Sequence, residues 1–335
     1  MIWLAAFLAL LAVLMAAPAP RLLSGATFRL SSPWTAMLLW QAMALAGGLS
    51  LIGAPLVFGL IPFGDSVPSA VAEVLRLVRA VDYGALEDRH VSPVHLFSLC
   101  LAVLLAGHLL LTLLRTSTRT LAARRRHRDL VRLLSSPAHG GSTERGTPVE
   151  GSGTGRRAAL IIDHETPLAY CLPGVTAARS MTVLSQGMLD ALGAEDLDAV
   201  VAHEHTHLQQ RHHLLTMAFE AWYRALPWLP TTRYGREAVL ELTEMLADDG
   251  ALRDHPREAL VRSLALGAPA SEATTDETSS DGPLAAAHHD DLQVTAARLR
   301  RLLSPPPQMG RTARGAVVVL AASLMVVPTA MLLIV

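Results

Sequence analysis

The chain has 335 residues, of which 51% are hydrophobic and 17% are charged, whereas soluble domains carry about 25% charged residues. This composition favours a membrane protein, and the formal net charge of −1 gives no basis for direct nucleic-acid binding. The two cysteines, Cys100 and Cys171, lie far apart in sequence and do not make a disulfide framework or a C-x-x-C metal site.

Four apolar segments have the length expected of membrane-spanning helices. They are residues 1–17, 34–60, 94–114 and 316–335. The first could instead be a cleaved signal peptide, but no positive residue precedes its apolar run, so we expect a retained helix. His108 lies inside the third span, where we expect it to bond to a neighbouring helix rather than to act functionally.

Arginine is concentrated on one side of the predicted spans. It occurs in the first connection, directly after the third span and directly before the fourth, whereas the loop 62–92 is mainly acidic. The positive-inside rule therefore predicts a multi-pass protein of the cell membrane, with both termini outside and residues 115–314 in the cytoplasm. We expect the arginine clusters to contact the lipid bilayer rather than nucleic acid.

The cytoplasmic segment is predicted to contain both helices and strands. We expect a basic juxtamembrane helix and a flexible loop over 115–157, followed by a domain over 158–313. Strands are predicted at 159–162, 168–172 and 181–184, and helices at 187–192, 194–223, 236–252 and 292–303. Residues 222–232, which contain two prolines, and the polar stretch 268–283 are predicted to be loops.

An H-E-x-x-H motif lies within the predicted helix 194–223. His203 and His207 are one helical turn apart and share a face, so their imidazoles can bind one metal ion. Glu204 lies about 100° further round the helix, where it can take a proton from a metal-bound water. The pattern predicts a zinc metallopeptidase with one Zn²⁺ ion and with Glu204 as the general base.

The third ligand has several candidates in the sequence. Glu244 is favoured over Glu241, because Glu244 lies among apolar residues on the next strong helix. Asp248, one turn later, can accept the second N–H group of a ligating histidine. In an uninterrupted helix, His213 and the adjacent histidine at 212 would point away from the metal. Candidates for stabilising the oxyanion are placed after that helix, and they are His288, His289 and Arg298.

Four stretches carry a resemblance to a known family. They are "AYCLPG", "MTVLSQGMLDAL", "LDAVVAHEHTHLQQRHH" and "EMLADDGAL". They resemble the BlaR/MecR-type membrane zinc metallopeptidases and, more broadly, gluzincins of the Ste24/HtpX kind. The resemblance implies His203, His207 and Glu244 as zinc ligands, Glu204 as the base and Asp248 as the partner of a ligand. It predicts a mainly α membrane protein with four transmembrane helices and a cytoplasmic α+β gluzincin domain between the third and fourth.

The resemblance also implies proteolysis of a cytoplasmic or membrane protein, often a transcriptional repressor in signal transduction. The best-known members carry an extracellular sensor that binds β-lactam, but this sequence reaches Val335 at the end of the fourth span, so we expect no such sensor here. Two alternatives stay open, a quality-control protease of the HtpX kind and a non-catalytic membrane transducer.

Overall fold

The computed structural model describes residues 1–80, 91–134, 136–137, 159–172, 181–272 and 283–334. Most of the predicted flexible loop within 115–157, and residues 273–282 of the predicted loop 268–283, lie outside this part of the chain. The chain divides into two compact units. The first comprises Met1–Ser117, Met217–Leu242 and Pro307–Val335, and the second comprises Thr118–Thr216 and Thr243–Pro306.

The described chain is mainly helical. Its helices, in order, are α1 (Ile2–Ala16), α2 (Pro18–Ser24), α3 (Phe28–Ser31), α4 (Pro33–Leu60), α5 (Val67–Ala80), α6 (Pro93–Leu134), α7 (Gln186–Ala191), α8 (Ala194–Gln209), α9 (His212–Ala225), α10 (Pro230–Ala251), α11 (Arg257–Glu272), α12 (Pro283–Leu303) and α13 (Arg311–Ile334). The strands are β1 (Ser136–Pro137), β2 (Ala159–Ile162), β3 (Ala169–Leu172) and β4 (Met181–Ser185).

Four stretches of the described chain are long and apolar enough to cross a membrane. They are Ile2–Ser24, Pro33–Phe63, Pro93–Leu130 and Arg311–Ile334. This confirms the prediction of a mainly helical chain with four candidate spans, and the apolar helices suggest a membrane protein. The first candidate span continues beyond the predicted residue 17 because α2 follows α1 after a single residue.

Small residues allow the helices of the first unit to approach one another closely. A Cβ atom at Gly47 would lie 3.2 Å from the Cβ of Met15, and one at Gly53 would lie 3.2 Å from Leu8 Cδ1. Close approach at small residues is typical of helix packing in membranes, where van der Waals contact supplies much of the association energy. These contacts pair α1 with α4 over most of the length of α1.

The predicted loop 62–92 contains a helix, α5, over Val67–Ala80. Its buried residues Val67, Ala70 and Leu77 recur at helical spacing and join the apolar cluster that also contains Leu8 and Val57. This helix, whose apolar residues share one face, lies in the connection between the second and third spans and was not predicted from the sequence.

The sheet of the second unit has the strand order β1-β2-β4-β3. Strand β2 runs parallel to β4, and β3 pairs with β4 in antiparallel fashion. The three predicted strands are found with bounds that differ by at most one residue, whereas β1 lies in the predicted loop. Among the described strands, β3 comes last in the order and is paired on one side only.

The predicted helix 194–223 is interrupted, so the prediction of a continuous helix was wrong. α8 ends at Gln209, and Arg211 adopts the left-handed conformation with φ 52° before α9 begins at His212. A left-handed residue commonly ends a helix, although glycine is the usual one and Arg211 gives no such signal. The predicted loop 222–232 is also shorter than expected, because α9 and α10 leave only residues 226–229 between them.

α8 and α10 pack closely in the second unit. A Cβ atom at Gly250 would collide with the side chain of Thr206, so only glycine permits this approach. Ala199 and Ala251 are fully buried in one cluster with Leu260 of α11. These small side chains bring the motif-bearing helix against the helix that carries Glu244.

Candidate metal centre

Three side chains from two helices meet at one point of the second unit. His203 and His207 lie on α8, and Glu244 lies on α10. The Nε2 atoms of the two histidines are 3.2 Å apart. Oε2 of Glu244 lies 3.4 Å from Nε2 of His203, and Oε1 lies 3.3 Å from Nε2 of His207.

These separations fit a tetrahedral zinc ion. Zinc binds imidazole nitrogen and carboxylate oxygen at about 2.0 to 2.1 Å, so two ligand atoms of a tetrahedron lie about 3.3 to 3.4 Å apart. Two nitrogens and one oxygen, with the fourth position left for water, are the usual ligands of a catalytic zinc ion rather than a structural one. The residues that the sequence singled out therefore suit the metal in geometry and in chemistry.

The charge state of Glu244 also suits a cation. Burial disfavours the carboxylate, but hydrogen bonds with His203 and His207 and the nearby charge of Arg298 hold the pKa of Glu244 well below its usual range. Burial likewise opposes a charge on His203, yet its hydrogen bonds with Asp248 and Glu244 raise the pKa of His203 to about 9. The cluster thus favours positive charge at the point where the ligand atoms converge.

Asp248 contacts His203 at Nδ1, on the side of the ring away from the metal position. Its carboxylate is 1% exposed and lies 2.9 Å from Nδ1 of His203. A hydrogen bond donated from Nδ1 directs Nε2 at the metal position, where a bound metal ion would replace the Nε2 proton. Burial raises the pKa of Asp248, but bonds from His203 and Arg298 outweigh it and lower the pKa below its ordinary value.

Arg298 lies between the two carboxylates. Its Nε and Nη2 atoms donate to the two oxygens of Asp248 at 3.0 and 2.7 Å, and Nη1 donates to Glu244 at 3.0 Å. The sequence suggested Arg298 as an oxyanion stabiliser, and the contacts add a positioning role for its guanidinium. The other two candidates, His288 and His289, lie on the backbone of α12, but their side chains are outside the described part, so their role stays a prediction.

His212 is not part of the group that could hold the metal, as predicted, but it lies closer to that group than an uninterrupted helix would allow. Because the helix breaks at Arg211, Nδ1 of His212 lies 2.9 Å from Nδ1 of His207. Burial and the neighbouring His207 lower the pKa of His212 to about 4, so the ring is neutral at physiological pH. With Nε2 of His212 donating to Oε1 of Gln210 at 3.0 Å, its Nδ1 can accept a hydrogen bond from His207.

The remaining candidates for the third ligand have other partners. Glu241 pairs with Arg29 within the first unit, and burial raises the pKa of this glutamate despite the arginine. His205 is not a candidate, because it lies about 200° round α8 from His203, and it accepts a hydrogen bond from Gln209 at 3.1 Å. Among the described residues, the group that could hold a metal ion contains His203, His207 and Glu244 and does not include the histidine at position 213.

A cavity of about 300 Å³ opens beside the cluster. Glu204 lines it together with His203 and Glu244, so a water or a substrate in the cavity can reach all three. Apolar side chains form much of the remaining wall. The lining also includes Pro167, Leu168, Ala169, Met188, Val200, Leu260, Leu264 and Leu292.

Replacing Asp248 tests the support of His203. We expect Asp248→Asn to weaken zinc affinity about 10- to 100-fold, because the amide is a poorer acceptor for the Nδ1 proton. A competitive zinc titration with a chelating dye measures this change. Asp249→Asn is the matched control, because the next residue pairs with Arg301 instead. Equal affinities for the two variants would contradict the assigned role of Asp248.

Comparison with known proteins gives one family match. Residues 151–241 match the model of Peptidase family M48, and this segment contains the H-E-x-x-H motif. No curated protein and no solved structure matches the chain. M48 peptidases are zinc-dependent, and the His203, His207 and Glu244 group could bind that metal. The match supports the M48 family, and with it a metallopeptidase, for the part of the chain that carries the motif.

Proposed function

We propose that the chain is a membrane-embedded zinc endopeptidase that hydrolyses peptide bonds in a cytoplasmic or membrane protein. The observation that carries this proposal is the convergence of three ligand side chains, whose nearest nitrogen and oxygen atoms are 3.2 to 3.4 Å apart, beside a cavity that Glu204 lines. A purely structural zinc site would not need the carboxylate of Glu204 in the cavity beside the ion. The match to family M48 supports the same reading.

His203, His207 and Glu244 would hold the ion. Bound zinc would lower the pKa of a water molecule and polarise the carbonyl of the scissile peptide bond. Glu204 takes the water proton as general base and later passes it to the leaving amine. Asp248 binds Nδ1 of His203 and His212 binds Nδ1 of His207, and these bonds keep the two ligating imidazoles in the required tautomers.

The order of the sheet suggests how a substrate is presented. Pro167, Leu168 and Ala169, at the start of β3, line the cavity, and β3 pairs only with β4 among the described strands. Residues Tyr170 to Leu172 belong to this strand. We infer that an extended substrate pairs with the outer side of β3, which would lay one of its peptide bonds beside Glu204.

The apolar cavity wall favours a substrate with a bulky apolar side chain next to the cleaved bond. The identity of that protein separates two forms of the proposal. A single transcriptional repressor would indicate signal transduction of the BlaR/MecR type, and many membrane proteins would indicate quality control of the HtpX kind. In both forms we place the catalytic domain on the cytoplasmic side, with zinc bound in the same way.

Comparing the proteomes of cells that carry the wild-type chain or Glu204→Gln tests this proposal. We expect new protein N-termini in the wild-type cells alone, each preceded or followed by an apolar residue. One affected regulator would support signalling, and a broad set of membrane proteins would support quality control. Identical sets of N-termini in both cells would favour the alternative of a non-catalytic membrane transducer.

A further inference from the structure

The segment between α9 and α10 has an unusual composition for a connection between two helices. Residues 225–230, here called the hairpin tip, read ALPWLP and contain no charged or hydrogen-bonding side chain except the indole N–H of Trp228. Loops at a protein surface are normally polar. The hairpin tip therefore requires an apolar environment.

The hairpin tip packs against three of the candidate membrane spans. Leu226 and Leu229 are buried, and the partly buried residues against them include Ala16 of α1, Leu51 of α4 and Leu109 of α6. All of these residues belong to the first unit. The tip thus contacts the spans themselves rather than the segments that connect them.

These contacts lie well inside the length of the spans. Leu99 of α6 meets Gly59 of α4, which fixes a common level near one end of both helices. From that level, Leu51 lies eight positions along α4 and Leu109 lies ten positions along α6, which correspond to about 12 and 15 Å. Because the hydrocarbon core of a bilayer is about 30 Å thick, the tip reaches its middle region.

α10 runs from the hairpin tip to the end of the spans at which Arg29 lies, here called the arginine-bearing end. Glu241 of α10 pairs with Arg29, just before α4 begins. Further toward the tip, Gly235 packs against Trp40 of α4, because a Cβ atom there would lie 3.6 Å from the indole. From Glu241 to Pro230, where α10 begins, the helix therefore runs along α4 for eleven positions, or about 17 Å.

Three backbone carbonyls at the tip accept hydrogen bonds from side chains of the protein, as the interior of a membrane favours. Nε2 of His108 donates to the carbonyl of Ala225 at 2.9 Å. Oγ1 of Thr232 donates to the carbonyls of Leu226 and Leu229, each at 2.8 Å. Two of the six tip residues are prolines, which have no N–H group to satisfy.

The charges nearest to the tip are paired with one another. Arg233 donates to Glu237 at 2.9 Å. Arg224 and Arg236 both donate to Glu220, at 2.6 and 2.7 Å. The guanidinium of Arg236 also lies over the ring of Tyr223. Pairing of this kind is the usual condition under which ionisable side chains are found at membrane depth.

Pro227 and Trp228 are the exposed residues of the hairpin tip. Trp228 is 72% exposed, while the neighbouring leucines are buried against the spans. We propose that α9 and α10 form a re-entrant hairpin that enters the bilayer from the arginine-bearing end, with Trp228 in contact with lipid acyl chains. The hairpin is thus a fifth membrane-inserted element, separate from the four candidate spans.

Site-specific fluorescence tests this proposal in the full-length chain reconstituted into nanodiscs. Cys100→Ser and Cys171→Ser remove the native thiols, and a bimane label is attached to Trp228→Cys. Val103→Cys on α6, where the side chain is 68% exposed, is the lipid-facing control. Asp254→Cys, at an exposed position of the second unit, is the water-facing control.

We expect lipids brominated in their acyl chains to quench the label at 228 by the same fraction as at 103. We expect iodide in the buffer to quench the label at 254 and to leave the one at 228 unchanged. Quenching at 228 by iodide alone would overturn the proposal in favour of an aqueous loop. Protection from both quenchers would overturn it in favour of a protein partner or a second copy of the chain.

A conservative variant keeps the test independent of the cysteine background. Intrinsic tryptophan emission is compared between the wild-type chain and Trp228→Phe in nanodiscs with and without brominated lipid. We expect brominated acyl chains to quench the part of the wild-type emission that is missing in Trp228→Phe. If the emission lost in the variant is insensitive to brominated lipid, Trp228 does not contact acyl chains and the proposal fails.

Discussion

Glu204→Gln gives a protein that folds and binds zinc but cleaves its substrate with a kcat/KM about 10²- to 10⁴-fold lower than that of the wild type. Glutamine preserves the shape of the side chain and the lining of the cavity but cannot take a proton from water. The metal ligands on either side of position 204 are unchanged, so binding and catalysis are separated. Cleavage of a peptide with an apolar residue at the scissile bond measures the effect.

The matched control for this variant is Glu195→Gln. Glu195 lies on the same helix, α8, but in its first turn, where it is exposed and 3.6 Å from Arg262. We expect wild-type cleavage from this variant, because exposed ion pairs contribute little to stability. Equal cleavage by wild type and Glu204→Gln would mean that Glu204 is not the general base.

Glu244→Gln should abolish stoichiometric zinc binding. The variant removes the anionic ligand from the cluster. It also removes the ion pair between Arg298 and Glu244, so the guanidinium charge beside the metal position is less neutralised. Both changes disfavour a cation. Elemental analysis after dialysis against a weak chelator should find about one zinc ion per wild-type chain and almost none in the variant.

Glu237→Gln is the control on the same helix. Glu237 pairs with Arg233 at 2.9 Å within the first unit, so its replacement should leave the zinc content unchanged. Thermal unfolding gives a second readout, because zinc at 100 times its Kd stabilises the folded state by about 2.7 kcal/mol. This zinc-dependent shift should appear in wild type and Glu237→Gln and be missing in Glu244→Gln. Full zinc binding by Glu244→Gln would exclude Glu244 as a ligand.

Local periodicity was sufficient to bring the candidate ligands together. His203 and His207 share a face through the helical repeat alone, and Glu244 was distinguished from Glu241 by its apolar neighbours. The structure agrees with that distinction, since Glu241 pairs with Arg29. The strands were also predicted within one residue, because short apolar runs between turn-forming residues are a local signal.

Interactions between distant residues were not predictable in the same way. The break at Arg211 has no glycine or proline to announce it, and it is accompanied by the burial of His212 against His207. Tertiary packing has overridden local helical propensity there. Arg298 likewise meets Asp248 across 50 positions of sequence, a relation that no helical or strand period expresses. His212 and Arg298 thus support the metal ligands although neither belongs to the H-E-x-x-H motif.

Zinc-edge X-ray absorption of the purified full-length chain tests the central claim most directly. The claim predicts a first shell of nitrogen and oxygen atoms at about 2.0 to 2.1 Å, with imidazole scattering that is preserved in Glu237→Gln and lost together with the bound zinc in Glu244→Gln. A sulfur shell at about 2.3 Å would contradict the claim, because it would place the metal at a cysteine rather than at His203, His207 and Glu244.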